Sequence, residues 1–84
     1  MNKFIVWYDN PYATYMQIVK TKDIFKWIGK KVCNSVELVF NFRYVIHDDD
    51  MIKKSIDRHK RGGFKELKEN ELYCKVKTNE KERF

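Results

Sequence analysis

The stretch "SVELVFNFRYVIH", residues 35–47, alternates apolar side chains with mostly polar ones over its whole length. A period of two is typical of a β-strand, because successive side chains of a strand lie on opposite faces. The face predicted to point into the core consists of Val36, Leu38, Phe40, Phe42, Tyr44 and Ile46. Six inward positions on one strand need a layer of helix to cover them, which predicts an α+β fold.

The N-terminal segment indicates a second strand. Residues 2–9, "NKFIVWYD", form a β-branched and aromatic run with apolar residues on both faces, which is typical of a strand covered on both sides. Asp9, Asn10 and Pro11 then interrupt the run. The next segment, residues 12–19, is compatible with a helix that begins at Asn10 and Pro11 and with the return strand of a hairpin. We favour the hairpin.

The first predicted helix begins near Thr21 and Asp23, both of which are good helix caps. Its apolar arc contains Ile24, Phe25, Ile28 and Val32, with Trp27 at the border. Lys22, Lys26 and Lys30 recur every four residues on the other side, which predicts a lysine stripe on the exposed face.

The second predicted helix begins within residues 48–50 and continues to about Arg61. Gly62 and Gly63 follow, as expected where the chain needs a positive φ after the last turn. The apolar arc of this helix contains Met51, Ile52, Ser55, Ile56 and His59. Its outer side carries a second basic cluster, Lys53, Lys54, Arg58, Lys60 and Arg61.

A last strand is predicted with Leu72, Cys74 and Val76 pointing inward. The element order is therefore β-β-α-β-α-β, with an antiparallel or mixed sheet and both helices packed on one face. We expect a small single α+β domain over residues 1–78 and a frayed, charged C-terminal tail over residues 79–84.

The stretch "HDDDMIKKSIDRHKRGG", residues 47–63, has two interpretations. Three consecutive aspartates could ligate a divalent metal, but acidic groups at the start of a helix and basic groups at its end also match the two poles of the helix dipole. We favour the second interpretation. Cys33, His47, His59 and Cys74 lack the close ligand pairs of a zinc site, and no nucleophile stands in a spacing that implies catalysis. The expected protein is not an enzyme and uses no metal and no cofactor.

The charge balance indicates acidic partners. The 84 residues carry a formal net charge of +6, with a sequence pI near 9.4. Two cysteines outside any CxxC pair, no signal peptide and no apolar window near the roughly 18 residues of a membrane span predict a cytoplasmic protein without membrane contact. Lysine-rich faces also simply keep small proteins soluble, so charge alone does not establish a binding site.

Two classes of function are compatible with these observations. The first is a small basic binding protein that engages nucleic acid, or a nucleoprotein complex, through its basic helix surfaces, with Trp27 as a stacking or anchoring residue. The surface that we favour is the C-terminal end of the second helix, with Arg58, Lys60 and Arg61. The second is a protein-binding inhibitor of a host nucleoprotein machine. Such an inhibitor would bind an acidic protein surface through an aromatic and basic interface. In size and in its Lys-, Asn-, Ile- and Tyr-rich composition the chain is similar to small phage proteins, including anti-CRISPR proteins.

The ligand spacing generates a first prediction. Elemental analysis of the purified protein should find no stoichiometric zinc or manganese, because the candidate ligands are too widely separated in sequence to form a specific site. One bound metal per chain would contradict this prediction and would favour a nuclease site at Asp48, Asp49 and Asp50.

Overall fold

The first strand of the chain, β1 (Asn2–Asp9), lies at the interior of a five-stranded sheet. In this computed structural model, which describes residues 2–68 and 71–77, the strand order is β3-β1-β2-β5-β4 and neighbouring strands are antiparallel. The other strands are β2 (Ala13–Thr21), β3 (Phe40–Ile46), β4 (Lys65–Glu66) and β5 (Leu72–Val76). Two helices, α1 (Ile24–Asn34) and α2 (Asp49–Arg61), complete the described part of the chain.

The α+β class and the predicted element order are confirmed, and the two-residue strand β4 is added between α2 and β5. Residues 12–19 belong to a hairpin strand rather than to a helix, as favoured from the sequence. The single domain over residues 1–78 stays a prediction. The proposed tail, residues 79–84, lies outside the described residues.

The turn between β1 and β2 is built by Asn10. Its side-chain Oδ1 accepts hydrogen bonds from the backbone N–H groups of Tyr12 (2.8 Å) and Ala13 (2.7 Å), and its own N–H donates to the Ala13 carbonyl at 3.0 Å. Such local side-chain bonds favour asparagine in turns as well as at helix starts, and here the chain continues as the strand β2. The turn fixes the hairpin register, which pairs Tyr8 with Tyr15.

The prediction that both helices pack on one face of the sheet is wrong. Phe4, Val6 and Tyr8 of β1 share a core cluster with Ile24 of α1, whereas Ile5 shares a different cluster with Ile52 of α2. Alternate residues of a strand lie on opposite faces, so the helices cover opposite faces. The physical reason is that β1 is apolar at consecutive positions, and each of its faces needs its own cover.

The prediction for residues 35–47 is wrong in the extent of the strand and in how deeply its inward face is buried, although Phe42, Tyr44 and Ile46 lie on the same side of the sheet as Phe4 and Val6. The strand begins only at Phe40, and Val36 and Leu38 lie before it with exposed side chains. Asn41 has a φ of 60°, and the pairing with β1 shifts register between Trp7 and Asp9. This bulge interrupts the period of two. Because β3 is also an edge strand, Phe40, Tyr44 and Ile46 are exposed in part.

Both helices have the predicted caps. Asp23 Oδ1 accepts from the Lys26 N–H at 3.1 Å, and Asp48 Oδ1 accepts from the Met51 N–H at 2.9 Å. Gly63, just after α2, has a φ of 102°, as the glycine-based helix end requires. The apolar arc of α1 is rotated from the predicted one, because Trp27 and Ile28 pack against the core while Phe25 is 69% exposed and Val32 is 48% exposed.

Packing around β1 predicts where truncation is costly. Ile5→Ala should lower the free energy of unfolding by about 2 to 5 kcal/mol, because Ile5 has no exposed surface and the lost side chain leaves a cavity. Leu38→Ala is the matched control, since Leu38 is 70% exposed and its truncation should cost no more than about 0.5 kcal/mol. Urea denaturation followed by circular dichroism measures both values. Equal costs would contradict the central position of β1.

The buried carboxylate at the end of β1 makes folding depend on pH. Burial by itself raises the pKa of Asp9, but hydrogen bonds from Asn41 and Thr14 and the charges of Lys77 and Arg43 outweigh it, so the pKa lies below the ordinary 3.8. A lowered pKa means that the ionised carboxylate stabilises the fold above the ordinary pKa, and that this contribution is lost as the pH falls through the folded-state pKa.

Asp9→Asn should therefore destabilise the protein at neutral pH, and its difference from wild type should shrink as the pH falls from about 5 to about 2. Denaturant melts at several pH values measure this convergence. Asp57→Asn, at an exposed position in the middle of α2, is the control for a general loss of negative charge. A difference between Asp9→Asn and wild type that is constant with pH would contradict the role given to the Asp9 charge.

Candidate functional site

A lysine-lined groove runs between α1 and the end of β2. It has a volume of about 450 Å³ and is lined by Lys20, Thr21, Lys22, Asp23, Lys26, Trp27 and Lys30. The four lysines are exposed. Asp23 uses one carboxylate oxygen to cap α1, which directs that oxygen towards the helix backbone. The groove therefore presents a positive surface, formed by the predicted stripe Lys22, Lys26 and Lys30 together with Lys20.

Trp27 forms the aromatic wall of this lysine groove. Its side chain is half-buried and packs against the core cluster of Phe4, Val6 and Tyr8, so one part of the ring is fixed by the core while another part lines the groove. A ring held in this way loses little conformational freedom when a ligand stacks on it. The sequence placed Trp27 at the border of the apolar arc, and the structure puts it between core and groove.

The second basic cluster, on α2, does not converge on one site. Lys54 and Arg58 line a small cavity of about 190 Å³ beside Trp7. The Lys60 ammonium instead lies over the Tyr73 ring, 5.9 Å from its centroid. Lys53 and Arg61 are exposed. Since α2 covers the opposite face of the sheet from α1, the two basic clusters form separate surfaces.

His59 is a structural residue of the α2 face. Its Nε2 accepts a hydrogen bond from the Trp7 indole N–H at 2.7 Å, and its Nδ1 lies 2.6 Å from the Ser55 carbonyl oxygen. This arrangement requires the proton on Nδ1, which donates to Ser55. With both ring nitrogens occupied and Phe64 packed edge-on at 4.9 Å, His59 is a half-buried packing residue, as the sequence indicated.

Two of the three aspartates of residues 48–50 have structural roles at the start of α2. Asp48 caps the helix, and Asp49 forms a 2.7 Å ion pair with Lys3 of β1, which lowers the pKa of Asp49 and raises that of Lys3. Within the described residues, no three His, Cys, Asp or Glu side chains are grouped as metal ligands would be. Cys33 and Cys74 are free thiols, and burial raises the pKa of Cys74.

A second cavity, of about 390 Å³, lies on the α1 face of the sheet beyond the C-terminal end of the helix. We call it the tyrosine pocket. It is lined by Tyr8, Asn10, Tyr15, Lys31, Asn34, Ser35, Val36, Glu37, Val39, Leu67 and Leu72. The sequence did not predict this pocket, although the hairpin register that pairs Tyr8 with Tyr15 follows from a turn centred on Pro11 and Tyr12.

Apolar side chains are exposed beside α1 and the edge strand β3. Phe25 packs edge-on against Tyr44, with ring centroids 5.6 Å apart, and Ile46 is exposed further along β3. Phe25 and Tyr44 form an aromatic patch separate from Trp27, because residues two apart in a helix lie on nearly opposite sides, and Tyr12 is exposed in the turn between β1 and β2.

In the part of the chain that the structure describes, neither helix is long and apolar enough to cross a membrane. The cytoplasmic location stays a prediction. Comparison with known proteins shows no matching family model, no matching characterised protein and no matching solved structure. Function therefore has to be inferred from the side chains themselves.

Proposed function

We propose that this chain is a small non-enzymatic protein that binds nucleic acid, alone or within a nucleoprotein complex, and that the lysine groove holds the phosphate backbone. The observation that carries the proposal is the convergence of Lys20, Lys22, Lys26 and Lys30 on one groove with Trp27 in its wall. Lysines that neutralise phosphates release bound counterions, which favours binding at low salt.

The geometry of α1 supports contact with successive phosphates. Lys26 and Lys30 lie one helical turn apart on the same side, which corresponds to about 6 Å along the helix axis. Trp27 can stack on a base next to the bound backbone, and stacking on an aromatic ring tolerates any base. The α2 cluster supports the proposal less well, because Arg58 and Lys60 are directed to different neighbours, the cavity beside Trp7 and the ring of Tyr73.

The second candidate function is inhibition of a nucleoprotein machine through a protein interface. The exposed apolar side chains Phe25, Tyr44 and Ile46 favour it, because aromatic anchors beside basic residues are typical of protein interfaces. In this alternative, the lysine groove would contact the acidic rim of the partner. Binding would then depend mainly on the apolar anchors and only weakly on salt.

The two candidates are separated by a matched pair of triple variants. Lys22, Lys26 and Lys30 are replaced by Gln in one variant, and Arg58, Lys60 and Arg61 in the other. Both variants remove three positive charges from exposed positions, so folding should be little affected in either. Binding of a fluorescently labelled oligonucleotide is followed by anisotropy at several salt concentrations.

The α1 triple variant should bind more weakly, and its slope of log affinity against log salt should be about 2 to 3 units shallower than that of wild type. The α2 triple variant should keep most of the wild-type slope. Equal losses in the two variants would mean that only net charge matters, which would contradict a site on α1. If no oligonucleotide binds, while Phe25→Ala prevents capture of a protein partner from nuclease-treated lysate, the second candidate replaces the first.

A further inference from the structure

The tyrosine pocket exists because α1 leaves part of its sheet face uncovered. The helix packs over β1 and the start of the hairpin through Ile24, Trp27 and Ile28, while Leu72 of β5 and Leu67 beside β4 lie beyond it. The residues that follow α1, from Ser35 to Val39, close the other side. A cavity of about 390 Å³ is within the size range of sites for small ligands.

The floor of the pocket contains Tyr8 and Tyr15, and Phe42 stacks on Tyr8 from outside the pocket lining. Tyr8 lies 5.2 Å from Tyr15 at an interplanar angle of 17°, and 5.2 Å from Phe42 at 24°. Tyr8 is only 2% exposed, whereas Tyr15 is half-buried and so offers surface to a ligand. Asn10, which is held by the turn, donates from Nδ2 to the Tyr15 hydroxyl at 3.3 Å and fixes the ring.

Two opposite charges border this floor. The Lys31 ammonium lies over the Tyr8 ring, 5.3 Å from its centroid. Glu37 lines the pocket with an exposed side chain, and its carboxylate is close enough to Tyr15 to contribute, after burial and Cys74, to the raised pKa of the phenol. A ligand that matches the pocket is therefore flat, donates hydrogen bonds to a carboxylate and carries a negative charge near Lys31.

A nucleotide whose base has an exocyclic amino group meets all three conditions. Its ring can pack against the accessible part of Tyr15, its amino group donates to a carboxylate as the cytosine N4 group does, and its phosphate is attracted to an ammonium. Uracil and thymine match the second condition less well, because they lack the amino group and their one ring N3–H donor lies between two carbonyl oxygens that a carboxylate repels.

The pocket also lies next to the lysine groove along α1. Lys30 lines the groove, and Asn34, one helical turn further along the same side of α1, lines the pocket. A strand whose phosphates follow the lysine stripe towards the C-terminal end of α1 thus reaches the mouth of the pocket. Only a base that is not paired in a duplex can enter it.

We propose that the tyrosine pocket binds one unpaired, amino-bearing nucleobase of a single strand held in the lysine groove, with Glu37 accepting from the amino group. This inference rests on the proposed function, because the strand has to be held by the groove. It adds a base preference, which the groove alone cannot produce, since phosphate contacts carry no sequence information.

The test compares oligo(dC) with oligo(dT) of equal length, which carry the same backbone charge. Wild-type protein should bind oligo(dC) roughly fivefold to tenfold more tightly, as expected for a specific base contact. Glu37→Gln should bring this ratio close to one, because the amide offers a donor to thymine as well as an acceptor to cytosine. Lys31→Gln should weaken both oligonucleotides equally.

Glu66→Gln is the matched control, since Glu66 is exposed on β4, does not line the pocket and loses the same charge. This variant should keep the wild-type ratio. Amide resonances of Tyr15 and Leu72 should shift on addition of cytidine monophosphate and much less on addition of uridine monophosphate.

The possible outcomes distinguish failure of the pocket hypothesis from failure of the proposed function. Equal affinity of wild type for the two oligonucleotides, or a preference that survives in Glu37→Gln, would overturn the pocket while leaving the lysine groove as the nucleic-acid site. Absence of binding to every oligonucleotide would overturn the proposed function and, with it, the role of the pocket.

Discussion

The structure depends on the burial of both faces of β1. Ile5 and Val6 are adjacent in sequence, point to opposite faces, and are both fully buried. A strand of this kind is stable only between two layers, because either face left open would expose large apolar side chains to water. One helix therefore has to lie on each side of the sheet, and the chain supplies one after β2 and the other after β3.

This constraint also determines on which surfaces the basic side chains lie. Each helix packs one apolar side against the sheet, so most of its basic residues lie on the outer surface. Because the sheet stands between the helices, the lysines of α1 and the basic residues of α2 face different directions. The positive charge is divided between two surfaces. Four lysines share a groove with an aromatic wall on the α1 surface, whereas Lys54 and Arg58 share a smaller cavity beside Trp7 on the α2 surface.

The difference in coverage between the two faces gives the α1 face its cavity. On the α2 face, Tyr73 of β5 is buried in the same cluster as Ile5, Met16 and Ile52. On the other face, α1 ends before it reaches β5, and the stacked tyrosines become the floor of an open pocket. The edge strand β3 adds exposed apolar surface nearby, since no strand pairs with its outer side among the described residues.

The sequence by itself determined the local features. Asp23 and Asp48 are helix caps, Gly63 ends α2, Asn10 makes a turn, and the lysine stripe of α1 is exposed, because each of these properties depends on residues within a few positions in the chain. The apolar run in β1 even indicated a strand with two buried faces. The prediction that both helices pack on one face of the sheet was inconsistent with this apolar run.

The tertiary structure decided what depends on neighbours in space. The alternation in residues 35–47 predicted a strand with one face buried in the core. The edge position of β3 and a bulge at Asn41 left much of this face exposed, and neither of these two features can be read from a period of two. Phe25 and Trp27 exchanged their expected environments because the rotation of α1 is set by its contacts with Phe4 and Val6. The tyrosine pocket combines β1, β2, the residues after α1 and β5, so only the packing of these distant segments brings Tyr15, Lys31 and Glu37 together.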